Sequence, residues 1–158
     1  MSKVIPNEQT WIGFSTTQPA VLDKPTSVEL TAADDMTCFV VSINASAQGN
    51  TVPTPVLCSL FETSVPGTSQ ATFTADFYRD DDDDAAWDAL KRGIEGVFYI
   101  SRFGGSGPNK QPASGEKLEV WPVIITSRAA GALSSNTAQT FSVTAAVNVE
   151  PAEDATVT

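Results

Sequence analysis

The clearest signal in the chain is alternation. Ala71, Phe73, Ala75 and Phe77 fall on one side of a segment whose other side is Thr72, Thr74, Asp76 and Tyr78. This period of two is the mark of a half-buried strand. Gly96–Phe103 repeats it, with Val97, Tyr99 and Phe103 opposed to Phe98, Ile100 and Arg102. Lys117–Arg128 is apolar on both faces, and its Pro122 predicts an edge position or a bulge. The most regular segment, Gln139–Glu150, sets Phe141, Val143, Ala145, Val147 and Val149 inward against Ser142, Thr144 and Asn148. A further β-branched and aromatic run, Thr37–Asn44, also reads as a strand.

One segment changes period. After Asp84, Trp87, Leu90 and Ile94 recur at helical spacing, with Gly93 as a stop and Lys91 and Arg92 where a helix dipole favours cations. The spacing predicts one short flanking helix over about 84–92, started by the run Asp80, Asp81, Asp82, Asp83 and Asp84. Carboxylates there would cap orphan amides and add negative surface. Elsewhere, residues 1–36 read as an N-terminal arm and first strand region, irregular apart from a short apolar piece at Trp11, Ile12 and Phe14. Residues 44–67 read as a long extended loop, or a β-extension with a flexible tip, turning at Pro66–Gly67. Residues 151–158 read as an acidic C-terminal tail. The architecture expected is mainly β: an antiparallel β-sandwich or flattened barrel with one short helix and long loops and arms.

Length fits a single domain over 1–158, large enough to bury roughly 70% of its unfolded surface without metal or disulfide. No apolar leader segment opens the chain, and the longest apolar run, Val120–Ile125, is far short of a membrane span. Synthesis in a reducing cytoplasm follows as the expectation. Cys38 and Cys58 are then expected to be small buried hydrophobes, not a disulfide. In that setting the sequon Asn44-Ala45-Ser46 carries no meaning. The formal net charge of −10, from 19 acidic and 9 basic residues, disfavours phosphate-neutralising contacts to nucleic acid.

Candidate chemistry fails position by position. Counted from Asp80 as an EF-hand loop, the sixth residue is Ala85 and the twelfth Lys91, where glycine and glutamate are needed. Gly104–Lys110 lacks the Gly-Lys-Ser/Thr of a phosphate loop, and Pro108 removes an amide. The chain has no histidine, which removes the commonest general base and metal ligand. Nothing distinguishes the carboxylate pairs Asp76 with Glu62 or Asp34 with Asp35 from solvated acids, and neither cysteine has a basic partner. Catalysis, metal binding and cofactor binding are not expected. Trp87 and Trp121 fit core packing, while Trp11 is free for an interface.

The ordered set Ser69–Gly104 ("SQATFTADFYRDDDDDAAWDALKRGIEGVFYISRFG"), then "GEKLEVWPVIITSR", then "AQTFSVTAAVNV" resembles the major tail tube proteins of long, non-contractile-tailed, siphovirus-type bacteriophages. The resemblance is carried mostly by Ser69–Val149; the first half matches in layout only. It implies a virion protein that self-assembles into hexameric rings, stacked into a hollow tube. The tube would surround a tape-measure protein, meet a tail terminator and distal tail or baseplate proteins, and pass DNA during ejection without binding it specifically. Acidic groups would line a non-adhesive lumen. The arm, with Trp11 and Phe14, the loop, with Gln48, Gly49, Asn50, Thr51 and Pro53, and the C-terminal tail would supply contacts between subunits or rings. The alternative is a monomeric β-sandwich binding module, an adhesin or carbohydrate-binding appendage. The lack of a clustered aromatic face in the sequence favours assembly.

Overall fold

The structure is a computed structural model, described over residues 9–158. Eight strands form one antiparallel sheet: β1 (Trp11–Ser15), β2 (Asp34–Asp35), β3 (Val40–Pro53), β4 (Ser64–Tyr78), β5 (Glu95–Ser101), β6 (Lys117–Ala130), β7 (Thr140–Ala146) and β8 (Ala152–Thr156). Their lateral order is β2-β1-β5-β6-β7-β4-β3, with β8 also paired to β6. Two short helices accompany them, α1 (Ser27–Ala32) and α2 (Ala85–Ala89).

The sheet is curled. Phe98 on β5 and Phe73 on β4 are three strands apart, about 14 Å across a flat sheet, yet their rings stack with centroids 4.6 Å apart. Only a strongly coiled sheet brings these faces together, as in a flattened, incompletely closed barrel. Inside the curl lie Phe14, Phe73, Phe77, Phe98, Trp121 and Phe141, all at most 1% exposed. Each such burial contributes about 1.5–3 kcal/mol.

A second core lies on the opposite face of the same strands. Trp11, Val97, Tyr99, Leu118 and Val120 pack there with Leu30 of α1 and with Ala155 and Val157 near the C-terminus. Strand β5 therefore alternates between two cores, Phe98 and Ile100 into one, Val97 and Tyr99 into the other. Strand β6 serves both as well. Its N-terminal part pairs with β8 through Val120, and its C-terminal part pairs with β7 from Ile124 on. Pro122 falls at that changeover, where its missing N–H interrupts neither ladder. The proline expected at an edge or bulge thus sits in a central strand, buried, and the bulge lies further on, between Ile125 and Ser127.

Several expectations are corrected. The described part of the arm is structured: β1 pairs with β5 along its length, from Trp11 opposite Ser101 to Ser15 opposite Val97. Its portion before Gln9 lies outside the described residues. Helix α1 was not foreseen, although Thr26 and Glu29 form a full capping box. The C-terminal tail is strand β8, with Ala152, Ala155 and Val157 buried. Cys38 and Cys58 are both free and exposed, not buried. Val149, expected inward, is 51% exposed because β7 ends at Ala146.

The Tyr99 hydroxyl lies in the second core and finds no hydrogen-bond partner among the described residues. Burial, and secondarily the charge of Glu29, push its pKa up to about 12. Its neutral form is favoured by folding, so that contribution is complete below pH 10 and is lost as pH rises toward 12. Wild type should therefore lose about 2 kcal/mol more than Tyr99→Phe between pH 9 and 12, measured by urea unfolding. At neutral pH the Phe variant should be at least as stable, since an unpartnered buried hydroxyl carries a desolvation cost. Equal losses in both proteins at high pH would contradict this reading.

Candidate assembly surfaces

The aspartate run folds on itself before it reaches the helix. Asp80 Oδ1 accepts from the Asp82 amide at 2.9 Å and from the Asp83 amide at 3.4 Å, closing a tight turn. Asp84 holds the N-cap position of α2 by its backbone, and its carbonyl accepts from Asp88. Its carboxylate caps no helix amide; it pairs instead with the Arg79 guanidinium. That pairing, by hydrogen bond first, holds the Asp84 carboxyl below the usual range and raises Arg79. Asp80–Asp83 remain exposed.

The helix itself stops at Ala89, so Lys91 and Arg92 lie beyond its last turn rather than within it. Gly93 turns the chain at φ 89° and donates to Ile125 O at 2.7 Å. Trp87 is half-buried, edge-on to Phe141 at 5.1 Å. The guanidinium groups of Arg79 and Arg128 lie over its ring at 4.1 and 3.8 Å, and Arg128 donates to the Trp87 carbonyl at 2.6 Å. The segment after β4 is thus fastened by two arginines more than by helix capping.

The residues expected to make contacts separate into two groups. Trp11 and Phe14, at 2% and 1% exposed, are packed in the protomer's own two cores. The Trp11 indole lies across Gly13, and the Phe14 ring across Gly96; a Cβ at either glycine would meet the ring at 2.5 Å. Gln48, Gly49, Asn50, Thr51 and Pro53 are exposed and lie on β3. The expected loop 44–67 is therefore mostly ladder, a long hairpin with its connection at 54–63, and Pro66–Gly67 is strand rather than turn.

Only the root of this hairpin belongs to the sheet. Strand β4 pairs with β7 from Thr72 to Tyr78, while among the described residues its first half pairs with β3 alone. From Ala47 to Gln70 no residue is buried. The far half is a free two-stranded ribbon, which is marginal in water without something to lie against. Its end carries Val56, Leu57, Leu60 and Phe61, from 51% to fully exposed, with Val52 and Val65 behind them. Sequence reasoning named the ribbon's middle and missed this end, although "PVLCSLF" is the one apolar run there flanked by turn residues.

A second surface lies where the curled sheet fails to close. A cleft of about 910 Å³ opens between the start of β3 and the strands β1 and β5, lined by Ile12, Val41, Ile43, Ile100 and Phe103. Arg102 spans its rim, paired with Glu119 and reaching Ala45 O at 3.5 Å. Asp76 accepts from Ser42 and Ser142, and Asp35 from Thr37. Among the described residues no group of three or more candidate ligands converges for a metal, and no helix is long and apolar enough to cross a membrane.

A curled antiparallel domain with a bare ribbon and an open apolar cleft is the form of a subunit, with surfaces left for neighbours. The model of the phage tail tube protein family matches residues 1–158, the whole chain, and the protein belongs to that family. It is a structural component of a virion tail. Among curated proteins none matches. Among solved structures, the chain is similar to one in the virion of a native gene transfer agent particle, with TM-score 0.60 and 12% identity, covering 95% of this chain and 98% of that one. A chain in the tail of an empty gene transfer agent particle, refined helically with C6 symmetry, gives 0.53 and 16%, covering 77% and 85%. One in the six-fold symmetrised baseplate of the anti-feeding prophage gives 0.57 and 6%, covering 96% and 95%. These are chains of a virion, a tail and a baseplate, and at these identities they establish a shared fold.

The Arg79–Asp84 pair makes the five aspartates unequal. Asp84→Asn should lower Tm at pH 7, whereas Asp82→Asn should leave it unchanged. A depressed carboxyl pKa contributes stability that is present above about pH 4 and lost as pH falls through the folded value. The gap between the two variants should therefore shrink on acidification, followed by differential scanning fluorimetry. Equal Tm values at neutral pH would remove Asp84 from its assigned place.

Proposed function

We propose that this chain forms hexameric rings that stack into the hollow tail tube of a long, non-contractile-tailed bacteriophage. The tube conducts DNA during ejection and encloses a tape-measure protein until then. A tail terminator closes one end, and distal tail or baseplate proteins meet the other. The role is structural, with no catalytic step. The observation that carries the reading is the bare ribbon Ala47–Gln70, which buries nothing in its own protomer and exposes its most apolar residues at the far end. A neighbour is what such a ribbon lies against, and its ordering cost is then offset by buried interface.

Charge fits the same reading. An excess of ten negative charges gives a wall that repels phosphate, so DNA passes without adhering. Asp80–Asp83, exposed in a tight turn, are candidates for that wall or for a ring face.

Replacing Asn50–Thr68 with a two-residue Asn-Gly turn, which joins the partners Gly49 and Ser69, tests the proposal, since the excised residues include no buried group. The shortened protein should keep the wild-type circular dichroism spectrum and cooperative melting. In sedimentation velocity it should remain a monomer at concentrations where wild type forms large species. Undiminished polymerisation of the shortened chain would overturn the ribbon's role.

A further inference from the structure

The ribbon's tip and the open cleft are complementary, and the two free cysteines report on whether they meet. The tip, 54–63, holds Val56, Leu57, Leu60 and Phe61 exposed around Cys58, with Glu62 its one charged residue. The cleft is lined by Ile12, Val41, Ile43 and Phe103, with Cys38 at its edge and Lys110 and Arg102 as its cations. Arg102 is already paired with Glu119, which leaves Lys110 as the match for Glu62. Asp35, the one acid facing the cleft, is held by Thr37. In a chain of net charge −10, this is a place where a nearly uncharged plug meets a rim whose charges balance, with Lys110 beside it, instead of like charge.

The tip cannot reach the cleft of its own protomer. Both are attached to β3, the cleft at Val41–Ile43 and the tip just past Pro53, about 33 Å apart along the strand. The ladder to β4 is continuous between them apart from one irregularity at Gly49–Thr51, so the ribbon does not fold back. We infer that the apolar tip of one copy seats in the β1–β3–β5 cleft of a second copy, with Leu57, Leu60 and Phe61 covering Ile12, Val41 and Phe103, Glu62 facing Lys110, and Cys58 beside Cys38. The inference rests on the assembly reading above and adds the site that receives the ribbon. The contact is heterologous: a docked copy keeps its own tip free at the far end, so the contact propagates in one direction and never closes as a two-fold dimer.

The test is cross-linking of assembled wild-type protein with a short bismaleimide. Each thiolate adds across one maleimide double bond, so no oxidant or leaving group is involved. The pairing predicts a ladder of covalent multimers on a denaturing gel. Cys38→Ser and Cys58→Ser should each collapse the ladder to monomer, since neither leaves a complementary pair. Leu60→Asp, changing a fully exposed residue, should leave melting unchanged and reduce cross-linking at least ten-fold. Dimers that persist in either cysteine variant mean like-with-like contact and overturn the inference, as does undiminished cross-linking in Leu60→Asp. Electron microscopy of the same samples separates the two levels. Tubes without cross-links overturn the tip-in-cleft contact alone, whereas uncross-linked monomers at every concentration overturn it together with the assembly reading.

Discussion

Burial of β5 on both faces, with Phe98 and Ile100 turned into one core and Val97 and Tyr99 into the other, is the constraint to which the other elements answer. A strand with no wet face needs cover on two sides. The sheet supplies one cover by curling until β4 and β7 face β5, and the Phe73–Phe98 stack is the outcome. Helix α1 and the C-terminal strand supply the other, through Leu30, Ala155 and Val157. Strand β6 makes both possible by pairing with β8 along one half and β7 along the other.

A curl of this kind has a consequence at its margins. Seven strands in lateral sequence bring β3 near β1 without a ladder between them, and the unclosed seam is the apolar cleft. Among the described residues nothing covers the strands that continue past the curl, and β3 and β4 run on as a bare ribbon. Cleft and ribbon are therefore two results of one geometry: a sheet coiled tightly enough to bury β5 but not closed. Unfinished edges of this sort leave strand backbone and apolar side chains available for a partner.

The parts legible in the sequence were those in which one physical signal dominated. Thr72–Tyr78 and Thr140–Ala146 alternate apolar and polar residues, Gly96–Ser101 holds a run of β-branched and aromatic residues, and each is a strand. The helix was visible through Trp87 and Leu90 but drawn too long, because Lys91 and Arg92 imitate a helix end while Leu90 already leaves helical geometry. Strand β8 was hidden because its only buried apolar residues are Ala152 and Ala155, set among acids. Strand β1 falls in the segment read as arm and first strand region, and no pattern within five residues shows that its Trp11 and Phe14 are covered on both sides of the sheet. The cleft was beyond sequence reading altogether. Residues 12, 41, 100 and 103 are joined by topology, not spacing.

Imaging of the purified, concentrated protein in moderate salt by electron microscopy, with averaging of end-on views, tests the central claim most directly. The account predicts hollow tubes of uniform diameter whose end views show six-fold symmetry. Solid fibres, amorphous aggregates, or a field of monomers at concentrations and salt levels that suppress charge repulsion would contradict it.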